Sequence, residues 1–100
     1  MKLDKMKVGM TVEVKQNWEK IMTKIAKKNG AILYYSGNTK EHSIYEEDDI
    51  IQLNNLIGKP IIVDEIDLFE RSYLSIRLKH DDSYPYGGIW INHKSLKRFK

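Results

Sequence analysis

A chain of 100 residues has room for one hydrophobic core, and its 41% hydrophobic and 31% charged residues indicate a folded single domain. The absence of cysteine excludes disulfides and thiolate metal sites, and a net charge of +3 is too small to identify a partner by itself. No apolar run approaches the roughly 20 residues that cross a bilayer, and the basic amino-terminal segment lacks an apolar signal region. We therefore expect a cytoplasmic protein without a membrane partner.

Charge is distributed unevenly along the chain. Residues 1–30 have a balance of +5, residues 31–70 a balance of −7, and residues 71–100 again +5. The basic ends either pair with the acidic middle or form a separate face of opposite sign, and the sequence leaves both arrangements open. Lysine outnumbers arginine by 14 to 3, a bias typical of AT-rich bacterial or phage genomes.

The amino-terminal third predicts a strand followed by a helix. Valine and methionine occupy every second position from Val8 to Val14, which is typical of a half-buried strand. A helix is predicted over residues 17–28, with Asn17 as its N-cap and Asn29-Gly30 as its stop signal. Its apolar stripe consists of Trp18, Ile21, Met22 and Ile25. Its other face and last turn carry Lys20, Lys24, Lys27 and Lys28.

The middle of the chain predicts a hairpin and then a segment with two interpretations. Residues 31–35 and 42–45 are extended pieces on either side of a turn at residues 36–39, and we expect them to pair as a hairpin. The apolar residues from Ile50 to Ile57 follow an acidic run and precede Gly58, which fits a short helix. An acidic loop followed by an irregular segment fits them nearly as well.

Short strands dominate the remaining sequence. Pro60 precedes a strand over residues 61–66, whose alternation places Ile66 on the face opposite Val63. Two further strands are predicted over residues 73–78 and 89–91. They are followed by one 3₁₀ turn over residues 94–96, in which Leu96 fills the end of the core.

Three of these segments resemble SH3-like small β-barrels of the KOW and Mind-bomb kind, which also occur in phage and prophage accessory proteins. Residues 7–14 (KVGMTVEV) resemble their first strand, residues 56–63 (LIGKPIIV) their second, and residues 88–91 (GIWI), followed by Leu96, their closing strand and terminal turn. The resemblance implies an α+β fold. It consists of one SH3-like domain over residues 1–100, with an antiparallel barrel of about five strands and a helical insertion at about 15–55. The motif of proline-peptide-binding SH3 domains is absent, so their ligand is not implied.

The residues that could carry catalysis are not grouped as catalysis requires. His42, His80 and His93 lack metal-ligand spacing, and His80 with the two aspartates after it is more typical of a solvated loop than of a cation site. Asp64 and Glu65 face opposite sides of a strand, so they do not form a carboxylate pair. No serine has a nucleophile-elbow context. We therefore expect a binding domain rather than an enzyme, with no cofactor and no metal.

Two binding surfaces are predicted, and the first is for a protein partner, such as a host factor recognised by a phage protein. It consists of Tyr84, Tyr86 and Trp90 with the acidic residues Glu46, Glu47, Asp48 and Asp49. Exposed aromatic residues around a proline are typical interface anchors. In the simpler interpretation the two tyrosines cap the barrel, Trp90 packs on the inserted helix, and the acids are a solvated helix start.

The alternative surface is for DNA or RNA and uses the basic carboxy-terminal third. It consists of Arg71, Arg77, Lys79, Lys94, Lys97 and Arg98, whose charges suit phosphates. The sequence pI of about 9.0 lies at the edge of the range that is typical of nucleic-acid binders, and the acidic middle counts against this interpretation. Self-association through an exposed edge strand is a third, weaker hypothesis, and the oligomeric state stays open.

Overall fold

Seven short strands and two helices make up the part of the chain that the computed structural model describes, which is residues 1–34, 43–68, 73–79 and 88–99. The strands are β1 (Thr11–Val14), β2 (Ile32–Tyr34), β3 (Ser43–Tyr45), β4 (Ile61–Ile66), β5 (Ile76–Leu78), β6 (Ile89–Ile91) and β7 (Leu96–Arg98). The helices are α1 (Trp18–Lys28) and α2 (Glu47–Asn55), and 3₁₀ turns cover Leu3–Lys5 and His93–Ser95. No helix in these ranges is long and apolar enough to cross a membrane.

Five of these strands form one antiparallel sheet in the order β6-β5-β4-β1-β7. β1 lies between β4 and β7, with Val12 opposite Ile61 on one side and Val14 opposite Leu96 on the other. The segment between β1 and β4 contains α1, β2, β3 and α2. The predicted α+β class is therefore confirmed, and the main sheet is antiparallel with five strands.

One face of this sheet and the apolar faces of both helices form the core. The fully buried side chains of the sheet include Val12, Val63, Ile76, Leu78, Ile91 and Leu96. Trp18 and Met22 of α1 and Leu53 of α2 belong to the same cluster and are also fully buried. The helix predicted over residues 17–28 is confirmed from Trp18 onward, because its apolar stripe has this core to pack against.

β2 and β3 form a separate two-stranded sheet, and they are parallel. Ile32 lies opposite Ser43 and Tyr34 opposite Tyr45, so both strands run in the same direction. The predicted hairpin is therefore wrong, because a tight turn can join only antiparallel strands. The predicted turn at residues 36–39 lies outside the described residues.

A β-bulge in β4 changes which side chains face the core. The pairing with β5 shifts between Val63, which lies opposite Leu78, and Glu65, which lies opposite Arg77. The extra residue inverts the alternation beyond it, so that Ile66 packs against the core instead of facing away. The predicted placement of Ile66 opposite Val63 is therefore wrong.

β1 is shorter than the alternation from Val8 to Val14 predicts. Val8 is 64% exposed, and the strand begins at Thr11. Gly9 has a φ of +91° and donates its backbone N–H to the carbonyl of Val63 at 2.8 Å. This left-handed conformation favours glycine and turns the chain before β1 starts.

Residues 47–55 and 93–98 form regular secondary structure. The acidic segment starts α2 rather than an irregular loop, and Gly58 follows the helix with a φ of +74°. The 3₁₀ turn near the carboxy-terminal end lies at His93–Ser95, one residue earlier than predicted. Leu96 is fully buried as expected, and it also starts β7, a strand that the sequence did not predict.

Candidate functional site

Trp90 is the one member of the predicted aromatic surface that lies in the described residues. It is half-buried on the outer face of β6, because its neighbours Ile89 and Ile91 face the core. The guanidinium carbon of Arg77 lies 5.8 Å from the centre of the indole ring, a distance that suits a cation–π contact. Tyr84 and Tyr86 lie outside the described residues.

The acidic segment lies at the amino terminus of α2. Asp49 accepts a hydrogen bond from the backbone N–H of Glu46 at 3.0 Å, so its carboxylate caps the helix. Glu46, Glu47 and Asp48 are exposed. Part of the predicted acidic surface therefore stabilises α2, and the rest is available to solvent.

Tyr45 connects the acidic segment to Trp90. Its hydroxyl donates a hydrogen bond to the backbone carbonyl of Trp90, and its ring meets that of Trp18 edge-on, with 6.1 Å between the centroids. Burial, with a smaller contribution from the nearby charge of Asp49, raises the pKa of the Tyr45 hydroxyl above its ordinary value. This hydrogen bond links the start of α2 to the backbone of β6.

Arg77 and Lys97, two of the cations predicted to contact nucleic acid, instead face carboxylates of the protein itself. Arg77 lies 2.8 Å from Asp64 and 3.1 Å from Glu65, and Lys97 lies 3.0 Å from Glu13. Asp64 and Glu65 therefore converge on one guanidinium. The prediction that they face opposite sides of the strand is wrong. The pairing of β4 with β5 shifts between Val63 and Glu65, so the bulge interrupts the regular alternation at Asp64.

The remaining cations of that set are distributed differently. Lys79, Lys94 and Arg98 are exposed, and Arg71 lies outside the described residues. His93 is half-buried, and its Nδ1 lies 2.7 Å from the carbonyl oxygen of Met1. No group of three potential metal ligands occurs within residues 1–34, 43–68, 73–79 and 88–99.

The two basic ends of the chain lie side by side. β1 pairs with β7, and the backbone N–H of Lys15 donates to the carbonyl of Ser95 at 2.9 Å. α1 also packs against the 3₁₀ turn that contains Lys94. Lys15 and Lys97 line one shallow depression of about 470 Å³. The described residues therefore show both arrangements that the sequence left open, because the basic ends lie next to each other while Arg77 pairs with Asp64 and Glu65 of the acidic middle.

A groove between α1 and β2 is a feature that the sequence did not predict. Its volume is about 530 Å³, and it is lined by Glu19, Thr23, Lys27, Ala31, Ile32, Leu33 and Tyr34. Ile32 is 41% exposed and Tyr34 is 38% exposed, whereas Leu33 between them is buried. The alternation Ile-Leu-Tyr was the available signal, since a strand that buries Leu33 must direct both neighbours away from the core.

The helix wall of the groove consists of Glu19, Thr23 and Lys27, and the other lysines of α1 lie outside its lining. Lys20, Lys24, Lys27 and Lys28 are all exposed, and none is ion-paired with a residue that the structure describes. Glu19 is the single acid of α1. We will call the depression lined by Glu19, Thr23 and Lys27 of α1 and by residues 31–34 the α1–β2 groove.

Comparison with known proteins finds no matching family model, no matching curated protein and no matching solved structure.

Proposed function

We propose that this protein is a non-enzymatic protein-interaction module, and that the α1–β2 groove is its principal binding site. The supporting observation is that Ile32 and Tyr34, two large apolar side chains, are exposed beside a concave surface. Binding sites combine concavity with apolar lining and a few polar groups, as this groove does with Thr23 and Lys27.

The strand order supports assigning the module to the SH3-like barrels. Residues 7–14 and 56–63 of the resemblance include β1 and the first half of β4, which are adjacent in the sheet. A 3₁₀ turn separates β6 from β7, and β7 returns to pair with β1. A cytoplasmic accessory protein of a phage or prophage that binds a host factor is the setting we propose for it.

A selection with random peptides tests this function. Displayed peptides are selected on the immobilised protein and then measured by fluorescence anisotropy against Ile32→Ser and Tyr34→Ser. We expect both substitutions to weaken binding at least about tenfold. The matched control is Ile51→Ser, because Ile51 is 53% exposed on α2, away from the groove. Peptides that bind all variants equally would refute the assignment of the groove.

Trp90 and the exposed acids Glu46, Glu47 and Asp48 form a second proposed part of the protein-binding surface. Tyr45, the residue before Glu46, links the two segments through its hydrogen bond to the backbone carbonyl of Trp90. Alanine at Tyr84 and Tyr86, which the sequence assigns to the same surface, tests this part. If every peptide or protein that binds the wild type still binds the double variant, Tyr84 and Tyr86 are not part of the interface.

Nucleic-acid binding is the alternative function, and one observation favours it. The pairing of β1 with β7 brings Lys15, Lys94 and Arg98 onto neighbouring elements of a basic surface. Fluorescence anisotropy with single- and double-stranded nucleic acid at about 50 and 200 mM salt tests it, because neutralising phosphates makes affinity fall steeply with salt. Lys94→Glu with Arg98→Glu should then abolish the signal, and no binding at low salt would dismiss this alternative.

A further inference from the structure

We propose that a second depression, between the end of α2 and the start of β4, binds an acidic segment of a partner protein in which carboxylates flank an aliphatic side chain. The depression is lined by Gln52, Leu56, residues 59–62 and Lys79, and we will call it the α2–β4 depression. The inference rests on the proposed protein-binding function, but this site shares no lining residue with the α1–β2 groove. Failure of one site can therefore be told apart from failure of the other.

The pairing of β4 with β5 places an apolar and a basic side chain next to each other. Val63 lies opposite Leu78, and both side chains are buried. The backbone N–H of Lys79 donates to the carbonyl of Ile62 at 2.9 Å, so the pairing continues to these two residues. Because successive side chains of a strand alternate, Ile62 and Lys79 both face away from the core. Side chains directly opposite each other have their Cβ atoms about 5 Å apart.

The turn after α2 supplies a second lysine. Gly58 has a φ of +74°, and the backbone N–H of Lys59 donates to the carbonyl of Leu56 at 3.1 Å, so the chain turns tightly between the helix and β4. Lys59 and Pro60 are both exposed. The depression therefore has one lysine from this turn and one that directly follows β5.

The charges in the lining have a single sign. Lys59 and Lys79 are its charged residues, and neither is ion-paired with a residue that the structure describes. Two like charges on one concave surface raise the local positive potential, which favours an anionic ligand. The α1–β2 groove differs in this respect, because its lining contains one acid and one lysine.

The described acids of the adjoining elements leave this positive charge in place. Asp64, two residues after Ile62 in β4, lies 2.8 Å from Arg77, so its charge is compensated. Asp48 is exposed on α2 four residues before Gln52, which is about 6 Å along the helix. It repels carboxylates from that side, so the carboxylates of the ligand lie toward the two lysines.

The apolar part of the lining determines the rest of the ligand. Ile62 is 38% exposed, Pro60 is exposed and Leu56 is half-buried, so an aliphatic side chain placed here covers apolar surface. The lining contains no aromatic ring on which a base could stack, which favours a peptide over a nucleic acid. Its volume of about 400 Å³ lies in the range of about 300–1,000 Å³ that is typical of ligand sites.

Fluorescence anisotropy with defined peptides tests the proposal on the whole protein. The first probe is a fluorescein-labelled peptide that alternates Asp and Leu. A second peptide alternates Asp and Ser, which keeps the charge and removes the aliphatic side chains, and a third alternates Lys and Leu, which reverses the charge. We expect the Asp-Leu peptide to bind at least about tenfold more tightly than either of the others.

Charge reversal in the depression supplies the matched variants. Lys59→Glu combined with Lys79→Glu should weaken the Asp-Leu peptide about tenfold or more. The control is Lys20→Glu with Lys24→Glu, which changes the net charge equally on the exposed surface of α1 and should leave binding unchanged. All four lysines are exposed, so the fold is retained.

A substitution at Ile62 tests the apolar contact separately. Ile62→Thr keeps a β-branched residue in the strand, and it should weaken the Asp-Leu peptide at least about threefold without affecting the Asp-Ser peptide. Ile32→Ser in the α1–β2 groove should leave binding of the Asp-Leu peptide unchanged.

Each other outcome overturns the inference in a recognisable way. Equal binding of the Asp-Ser peptide removes the apolar argument, and equal binding of the Lys-Leu peptide removes the charge argument. Equal losses in the two double lysine variants mean that net charge, rather than this depression, attracts the peptide. If an oligonucleotide binds more tightly than the Asp-Leu peptide and depends on Lys59 and Lys79, the depression is a phosphate site instead.

The fate of the proposed function is read independently. If selected random peptides depend on Ile32 and Tyr34 while the Asp-Leu peptide does not bind, this inference fails and the α1–β2 groove stands. If the Asp-Leu peptide binds through Lys59 and Lys79 while no selected peptide depends on the groove, this inference stands and the groove is not the principal site.

Discussion

Removing the hydroxyl of Tyr45 should destabilise the fold without affecting the shape of the core. Tyr45 is 4% exposed, and its hydroxyl donates to the backbone carbonyl of Trp90, so the hydrogen bond joins the small β2–β3 sheet to the edge of the large one. Tyr45→Phe keeps the ring beside Trp18 and creates no cavity. It leaves the carbonyl of Trp90 without this donor, which costs about 1–3 kcal/mol when the group is buried. We expect a loss of about 1–2 kcal/mol in the free energy of unfolding.

Urea denaturation followed by tryptophan fluorescence measures this loss, because Trp18 and Trp90 both contact the region that changes. For a domain of this size, each kcal/mol also lowers Tm by about 4–8 °C. Tyr34→Phe is the matched control, since Tyr34 lies directly opposite Tyr45 in the pairing of β2 with β3 but is 38% exposed. Equal losses for the two variants, or no loss for Tyr45→Phe, would refute the role of this hydrogen bond.

Three further predictions concern pH, backbone conformation and surface charge. Burial raises the pKa of folded Tyr45 above its unfolded value near 10. The contribution of Tyr45 to the free energy of unfolding is therefore fully present below about pH 10. It then falls by about 1.4 kcal/mol per pH unit above that value, and urea titrations up to about pH 11.5 should show a shallower fall in Tyr45→Phe. Gly88→Ala should cost at least about 2 kcal/mol in urea unfolding, because φ is +127° and the new Cβ would lie 2.5 Å from the carbonyl oxygen of Leu78; Gly58→Ala, with φ of +74° and open space, should cost only about 1 kcal/mol. Arg77→Gln should cost less than about 1 kcal/mol in the same assay because the ion pairs of Arg77 are partly exposed, and a loss above about 2 kcal/mol would contradict this.

The local sequence pattern was sufficient to predict those helices and strands whose buried face follows from their own apolar residues. The spacing of Trp18, Met22 and their neighbours predicted α1 because a helix with one apolar stripe needs only a core to cover it. The strands at residues 61–66 and 89–91 were predicted for a similar reason, since their β-branched residues alternate or follow a turn signal.

Features that depend on pairing between distant segments could not be predicted in this way. The bulge in β4 arises from the register with β5. The sequence of residues 61–66 contains no signal that Asp64 is the additional residue. The parallel direction of β2 and β3 depends on how the chain returns between them, which propensity does not encode. The α1–β2 groove likewise exists only once the helix lies beside the strand, so no single segment indicates it.

The position of β1 also constrains when the protein can fold during synthesis. Both neighbours of β1 in the sheet come from later segments, β4 and the more distant β7. A ribosome adds roughly 5–20 residues per second, so the edge of β1 that β7 covers stays open for several seconds after Val14 is made. During that interval the nascent chain has an unpaired strand edge next to apolar residues that are buried in the folded protein. Chaperones and other chains recognise such a surface. Completion of the sheet therefore follows the emergence of residues 96–98 from the ribosome.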